Sequence, residues 1–186
     1  MDRSSATIMP SRKGYWLSLA LLFVAVPGTL AVRTWKDVRT WRSQHERQAE
    51  QGEVGKPVDY AGARWTVTRF TRLAGKNGSV AVLAEFEAAA ADPKALAATP
   101  CDVSLSDGAG RTWHQTIFSD PAIRKQYPET ASLGLCGGPT FATTQKGAPA
   151  KMVATFSIPA AATGLSLSIT LYSALPRYLS ISEPKG

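Results

Sequence analysis

The chain has 186 residues, of which 44% are hydrophobic and 19% charged, and its formal net charge is +7. Most of the excess lies in residues 1–56, where nine Lys/Arg stand against five Asp/Glu. Because residues 57–186 contain no basic run of the kind that follows a phosphate backbone, we expect no nucleic-acid partner.

The first predicted element is an uncharged segment of 19 residues, Gly14–Val32. As an α-helix it would measure roughly 28 Å, close to the ~30 Å hydrocarbon core of a bilayer, whereas a signal peptide needs only about 7–15 apolar residues. We therefore predict a cytoplasmic tail over 1–13 and a transmembrane helix over 14–32. The aromatic residues expected at the membrane interfaces are Tyr15, Trp16, Trp35 and Trp41. Cleavage near Ala31, which would release a secreted domain, is the alternative.

A polar segment without Gly or Pro follows the predicted span and continues to about Gln51. Trp35, Val38 and Trp41 are spaced three residues apart, which places them near one face of a helix. We predict a juxtamembrane helix and linker over 33–56. This helix is either a stalk that contacts a partner or an amphipathic turn that lies on the headgroups, and its cationic side chains favour a lipid bilayer as a partner.

The two cysteines of the chain, Cys101 and Cys136, are predicted to form a disulfide. Neither belongs to a C-x-x-C pair, and two scattered histidines are too few to complete a zinc site. Since such bonds persist only in oxidising compartments, the pair indicates an extracytoplasmic domain. We therefore predict a single-pass protein of the cell membrane with its C-terminal domain outside the cytoplasm. Two buried free thiols in a cytosolic domain are the alternative.

The C-terminal domain, residues 57–186, is predicted to be all-β. About seven short runs rich in β-branched and aromatic residues are separated by turn residues, and the clearest alternation lies at 165–171. Asn77-Gly78 and the segment 107–110 are expected to form hairpin turns. A short helix is expected to begin at Asp120-Pro121. Seven strands with no amphipathic helix among them predict a β-sandwich.

Three features of this domain occur in a familiar order. They are a glycine-containing approach and first strand over 60–67, an acidic-glycine hairpin over 105–113, and Phe156-Ser157-Ile158-Pro159 before the last alternating strand. This order resembles the bacterial telokin-like, immunoglobulin-like domains of unknown function that occur in lipoproteins and membrane-anchored proteins. The resemblance covers 54–181 and implies an immunoglobulin-like sandwich. Because those domains share no catalytic residues, it implies no site.

The sequence contains no signature of catalysis or of a bound cofactor. It has no G-x-S-x-G elbow, no complete P-loop and no calcium-binding loop, so we expect no catalytic residue, cofactor or metal. An envelope enzyme or regulatory subunit that uses His114 and the 119–128 loop is the alternative.

The candidate partner-binding residues are basic and lie on one predicted strand and its turn. They are Arg64, Arg69, Arg72 and Lys76, and alternation would place some of them on a shared outer face that suits an acidic partner. The sequence therefore predicts a membrane-tethered binding or accessory module whose partner is a membrane or envelope protein. It does not determine the oligomeric state.

Overall fold

The computed structural model describes Trp16, Leu21 and Leu22, followed by residues 47–75, 78–116 and 120–184. Contacts divide the chain into two compact units, Met1–His45 and Glu46–Gly186. In the first unit, the three described residues are helical and exposed. The rest of the predicted span and the interface residues Tyr15, Trp35 and Trp41 lie outside the described residues. Within the described part of the chain, no helix has the length and apolar character needed to cross a membrane.

The second unit is mostly β-structure. Its strands are β1 (Gln48–Glu53), β2 (Val58–Tyr60), β3 (Ala63–Ala74), β4 (Ser79–Ala90), β5 (Cys101–Ser106), β6 (Thr112–His114), β7 (Pro149–Pro159), β8 (Ser166–Leu171) and β9 (Arg177–Ser182). They form a five-stranded sheet in the order β1-β9-β8-β5-β6 and a four-stranded sheet in the order β2-β3-β4-β7. The short helices are α1 (Pro93–Ala97), α2 (Pro121–Gln126) and α3 (Gly138–Ala142), with 3-10 turns at Pro128–Ser132 and Tyr172–Ala174.

The seven predicted strand runs correspond to β3 to β9, and the prediction of a mostly β, two-sheet domain is confirmed. The prediction of a helix and linker over 33–56 is wrong at its C-terminal end, where residues 48–53 form β1 and pair in parallel with β9. Gly52 of β1 packs closely against Ile181 and Val58. The backbone pairing and this close approach therefore determine the conformation of β1, although its sequence has no apolar alternation.

The predicted first strand over 60–67 is interrupted by a tight turn, which separates β2 from β3. Tyr60 pairs with Ala63, so only Ala61 and Gly62 form the connection. Both residues have positive φ angles, 51° and 78°, which is the conformation that two-residue hairpin turns require. The polypeptide therefore reverses direction within the glycine-containing approach to the predicted strand.

The main core lies between the two sheets and follows the predicted alternation. Leu167, Ile169 and Leu171 of β8 are fully buried in this core, while Ser168 and Thr170 between them alternate to the opposite face of the sheet. On the opposite layer, the Trp65 ring packs against Phe86 and Phe141 with centroid distances of 6.3 and 6.1 Å. Large aromatic side chains supply much of the buried apolar area in such a core.

A second, smaller apolar cluster covers the outer face of the four-stranded sheet. Ile123 of α2 packs with Ala81, Leu83 and Val153 from β4 and β7. The predicted helix start at Asp120-Pro121 is confirmed, since the Asp120 carboxylate accepts a hydrogen bond from the Ala122 amide at 2.8 Å. Helix α2 and the turn after it therefore form one wall of this outer face.

Asp107 stabilises the turn between β5 and β6. Its carboxylate accepts hydrogen bonds from the amides of Ala109 and Arg111, at 3.1 and 2.9 Å, and from Nε of Arg111 at 2.8 Å. Burial alone would raise the pKa of Asp107. The hydrogen bonds and charge of Arg111, with the Ala109 amide, outweigh this effect, so that the pKa lies below its ordinary value.

We expect Asp107→Asn to lower the free energy of unfolding at pH 7 and to have a smaller effect in strong acid. Because the folded-state pKa is depressed, the carboxylate stabilises the fold above the unfolded pKa of about 3.9, and this contribution is lost as the pH falls through the folded value. Urea unfolding at neutral and acidic pH measures both differences. An equal loss at the two pH values would show that the ionised form has no special role.

Candidate functional site

The strand register shows which of the candidate arginines share a face. Arg64 pairs with Ala89 and Arg69 pairs with Glu85, and these two partners are four residues apart on β4, hence on the same side. Arg72 pairs with Val82, which lies on the other side. A register shift between Val67 and Arg69 brings Arg64 and Arg69 onto one face although they are five residues apart.

Arg69 lies on the outer face, where it contacts two carboxylates and one ring. Its Nη1 donates to Oε1 of Glu85 at 2.8 Å and to Oε1 of Glu129 at 3.0 Å. Its guanidinium carbon lies 4.5 Å from the ring centroid of Tyr127. The hydrogen bond to Glu129 is the main reason why the pKa of Arg69 is raised. This arginine is therefore already neutralised within the domain, which lowers its attraction for an acidic partner.

A cleft of about 400 Å³ lies beside Arg69 on the same outer face. Its floor is formed by β4 and β7 and its wall by the 3-10 turn, and its charged lining residues are Glu85, Glu87, Glu129 and Lys151. Lys151 pairs directly with Glu87 across the two strands. Since Glu85 and Glu129 are held by Arg69, the cleft presents little unbalanced charge to a ligand.

Arg72 connects the two layers at the far end of the sandwich. Its Nε and Nη2 each donate to one carboxylate oxygen of Glu183, and its Nη1 donates to the carbonyl of Ala162 at 2.8 Å. The hydrogen bonds to Glu183 raise the pKa of Arg72. Because the ion pair is bidentate and both side chains are about three-quarters buried, Arg72 contributes to the integrity of the domain more than to an outer surface.

Arg64 is the most accessible of the three candidate arginines that the structure describes. Its side chain is 65% exposed, and its Nε donates to Oδ1 of Asp59 at 3.1 Å. An ion pair between two such exposed groups contributes at most about 1 kcal/mol, so the guanidinium can exchange Asp59 for another carboxylate. The fourth candidate, Lys76, lies outside the described residues.

The two parts of the alternative catalytic site lie on opposite sides of the sandwich. His114 of β6 pairs with Ser104, whose neighbours Val103 and Leu105 point into the core, so His114 lies on the outer face of the five-stranded sheet. Helix α2, in the 119–128 loop, covers the outer face of the other sheet. His114 is exposed, and its Nδ1 lies 3.7 Å from Oδ1 of Asp102. The structure therefore does not bring His114 and this loop together.

The predicted pairing of Cys101 with Cys136 is confirmed, with an Sγ–Sγ distance of 1.90 Å and a Cα–Cα distance of 5.7 Å. The bond attaches the start of β5 to the segment before α3, and Phe141 of α3 packs on Trp65. Among the residues that the structure describes, no group of three or more His, Cys, Asp or Glu is arranged to hold a metal ion.

Sequence reasoning identified the arginines but not the carboxylates that neutralise them. The hairpin prediction around Asn77-Gly78 placed the strand of Glu85 beside the strand of Arg69, but not in the register that pairs these two residues. Glu129 and Glu183 are 60 and 111 residues away from their partners along the chain. No local pattern could connect residues at those separations.

No family model matches the chain, and no curated protein matches it. Solved structures to which the chain is similar include an uncharacterized β-sandwich protein from Clostridium difficile 630, at 8% identity and a TM-score of 0.45, with a match that covers 75% of this chain and 97% of that one. The yjhA protein of Bacillus subtilis is 14% identical with a TM-score of 0.44, over 71% and 98% of the two chains. A conserved hypothetical protein from Bacillus anthracis is 13% identical with a TM-score of 0.43, over 65% and 89%.

Proposed function

We propose that the chain is a membrane-anchored, extracytoplasmic binding module whose domain is an immunoglobulin-like sandwich of the telokin-like kind. The observation that carries this proposal is the disulfide between Cys101 and Cys136 in a domain that follows 19 uncharged residues. Disulfides persist in oxidising compartments, and a segment of that length is sufficient to cross a bilayer. The module works by contact with a membrane or envelope protein rather than by catalysis.

The outer face around Arg64 is the proposed contact surface for an acidic segment of that partner. Arg64 is supported by its exposure and by its weak pairing with Asp59, whereas Arg69 and Arg72 are held by carboxylates of the same domain. The tether confines the domain to the membrane surface. It thereby raises the effective concentration of the module toward any neighbouring subunit, so a modest affinity is sufficient.

The location of the domain is tested by labelling whole cells with a membrane-impermeant amine reagent. Lys94 and Lys146 are exposed in the structure, and we expect both to react before lysis. Free thiols should appear only after treatment with a reductant, since Cys101 and Cys136 are paired. Labelling that requires lysis would place the domain in the cytoplasm and overturn the proposal.

The contact surface is tested by Arg64→Glu in the full chain. We expect the yield of chemical crosslinks to the membrane partner in intact membranes to fall by about tenfold, because the reversed charge repels an acidic segment by ~1.4 kcal/mol or more. The matched control is Arg124→Glu, which makes the same change of charge at an exposed position on helix α2. Equal yields for the two variants would remove Arg64 from the proposed interface.

A further inference from the structure

The chain enters the sandwich at one defined end, which we call the tether end. Strand β1 begins at Gln48, whose amide donates to the Pro176 carbonyl at 3.0 Å and whose register partner is Arg177. The hydroxyl of Tyr60 lies at the same end, where it bonds to Leu171 of β8 and to Arg177. Gln48, where the first strand begins, and the loop 172–176 are therefore neighbours.

The exposed large hydrophobic residues of the described chain fall into two groups. Trp16, Leu21 and Leu22 belong to the predicted membrane span, and Leu135 and Tyr172 belong to the domain. The side chains of Leu135 and Tyr172 are 45% and 56% exposed. The other large apolar side chains that the structure describes in this domain are buried or partly covered, so these two require a separate explanation.

Leu135 and Tyr172 are both linked to the disulfide at the tether end. The Tyr172 amide donates to the carbonyl of Pro100 at 3.1 Å, and Pro100 precedes Cys101 in the chain. The disulfide then joins Cys101 to Cys136, which directly follows Leu135. A short series of bonds thus holds the backbones of both exposed residues near the disulfide.

The surface around these two residues is formed mainly by small apolar side chains. Helix α1 follows the end of β4, and α3 packs against it so closely that a Cβ at Gly138 would meet the carbonyl of Ala97 at 2.7 Å. The exposed apolar residues of this region are Ala91, Ala95, Ala98, Pro100, Pro139 and Ala142. The exposed charged residues at the same end are Lys94, Lys146, Arg177 and Asp92, with the Arg64–Asp59 ion pair beside them, so the net charge there is positive.

We propose that the tether end lies against the bilayer interface, with Leu135 and Tyr172 at headgroup level. This inference rests on the membrane anchor of the proposed function. Fourteen residues, 33–46, separate the predicted span from the domain, which is about 21 Å as a helix and about 46 Å fully extended. The tether end is therefore within reach of the membrane.

The chemistry of the tether end suits an interface with lipid. Tyrosine favours the headgroup level of a bilayer because its ring is apolar and its hydroxyl polar, and the lysines and arginine there are attracted to anionic headgroups. Two side chains alone would bind a membrane weakly. The tether makes the contact intramolecular, so that a small favourable free energy is sufficient to orient the domain.

The test uses the full chain in vesicles of phosphatidylethanolamine and phosphatidylglycerol. A photoreactive benzophenone amino acid is placed at position 172, at position 135 or, as a control, at position 161. Ala161 is exposed and lies in the turn at the opposite end, between residues whose amides bond to Gly78 and Pro159. After irradiation, mass spectrometry identifies peptides that carry a lipid.

We expect lipid adducts at positions 172 and 135 to exceed those at position 161 several-fold. Similar yields at the three positions, or adducts at 172 and 135 to a second copy of the chain, would overturn the proposed orientation. Flotation of the unmodified chain with the vesicles tests the anchor separately. A chain that floats but shows no preferred lipid adduct disproves this inference alone, whereas a chain that does not float disproves the anchor itself.

Discussion

Replacing both cysteines, as Cys101→Ser with Cys136→Ser, is expected to lower the free energy of unfolding by about 4 kcal/mol. The disulfide closes a loop with a sequence separation of 35. In the chain-entropy model, removing the bond raises the conformational entropy of the unfolded chain, which stabilises the unfolded state by that free energy. Urea unfolding of the variant and of the oxidised chain measures the difference. This is a large effect, because the total free energy of unfolding of a typical domain is only about 5–15 kcal/mol.

The reduced form of the unmodified chain is the matched control for this variant. If the bond acts by closing the loop, the reduced chain and the double serine variant unfold at nearly the same urea concentration, and both unfold below the oxidised chain. If the oxidised and reduced chains have equal stability, the bridge makes no net contribution to the fold. The proposed location outside the cytoplasm would then lose its structural reason, since nothing would favour keeping the bond.

The strands predicted best are those that alternate apolar and polar residues over a buried face. Leu167, Ile169 and Leu171 reach the core on one side of β8, and the period of two fixes that face without any tertiary information. Strand β1 has no such pattern in its sequence QAEQGE, and at the edge of the sheet it depends on backbone pairing with β9. The sequence of an edge strand held in this way need not differ from that of a polar helix.

The candidate site was predictable in its residue types but not in its charge balance. Alternation predicted that some of the basic residues share an outer face, but it did not select the pair Arg64 and Arg69, which share one only because of a register shift that has no clear sequence signal. The neutralisation of Arg69 by Glu129 and of Arg72 by Glu183 depends on elements far away in the chain. Counting the basic residues of one strand in the sequence therefore overestimates the positive charge of the folded surface.

Tyr60→Phe is expected to cost about 1–3 kcal/mol of unfolding free energy, since it removes the partner of the buried Leu171 amide and of the part-buried Arg177 carbonyl. The Tyr60 hydroxyl accepts from the Leu171 amide at 3.0 Å and donates to the Arg177 carbonyl at 3.1 Å. The side chain is only 2% exposed, so water cannot replace it. Tyr172→Phe removes the same atom from a 56% exposed side chain, and this control should unfold like the unmodified chain.

The same phenol predicts how the domain responds to alkali. Burial, more than its hydrogen bonds or the nearby charges, raises the pKa of Tyr60 above its ordinary value of about 10. The unfolded chain therefore loses this proton at a lower pH than the folded chain, so the stabilisation is complete below pH ~10 and is lost as the pH rises toward the folded value. We expect Tyr60→Phe to have a shallower alkaline loss of stability than Tyr172→Phe in urea unfolding between pH 8 and pH 11. If the free energy of unfolding falls equally steeply with pH for the two variants, the ionisation of Tyr60 does not contribute to the alkaline loss of stability.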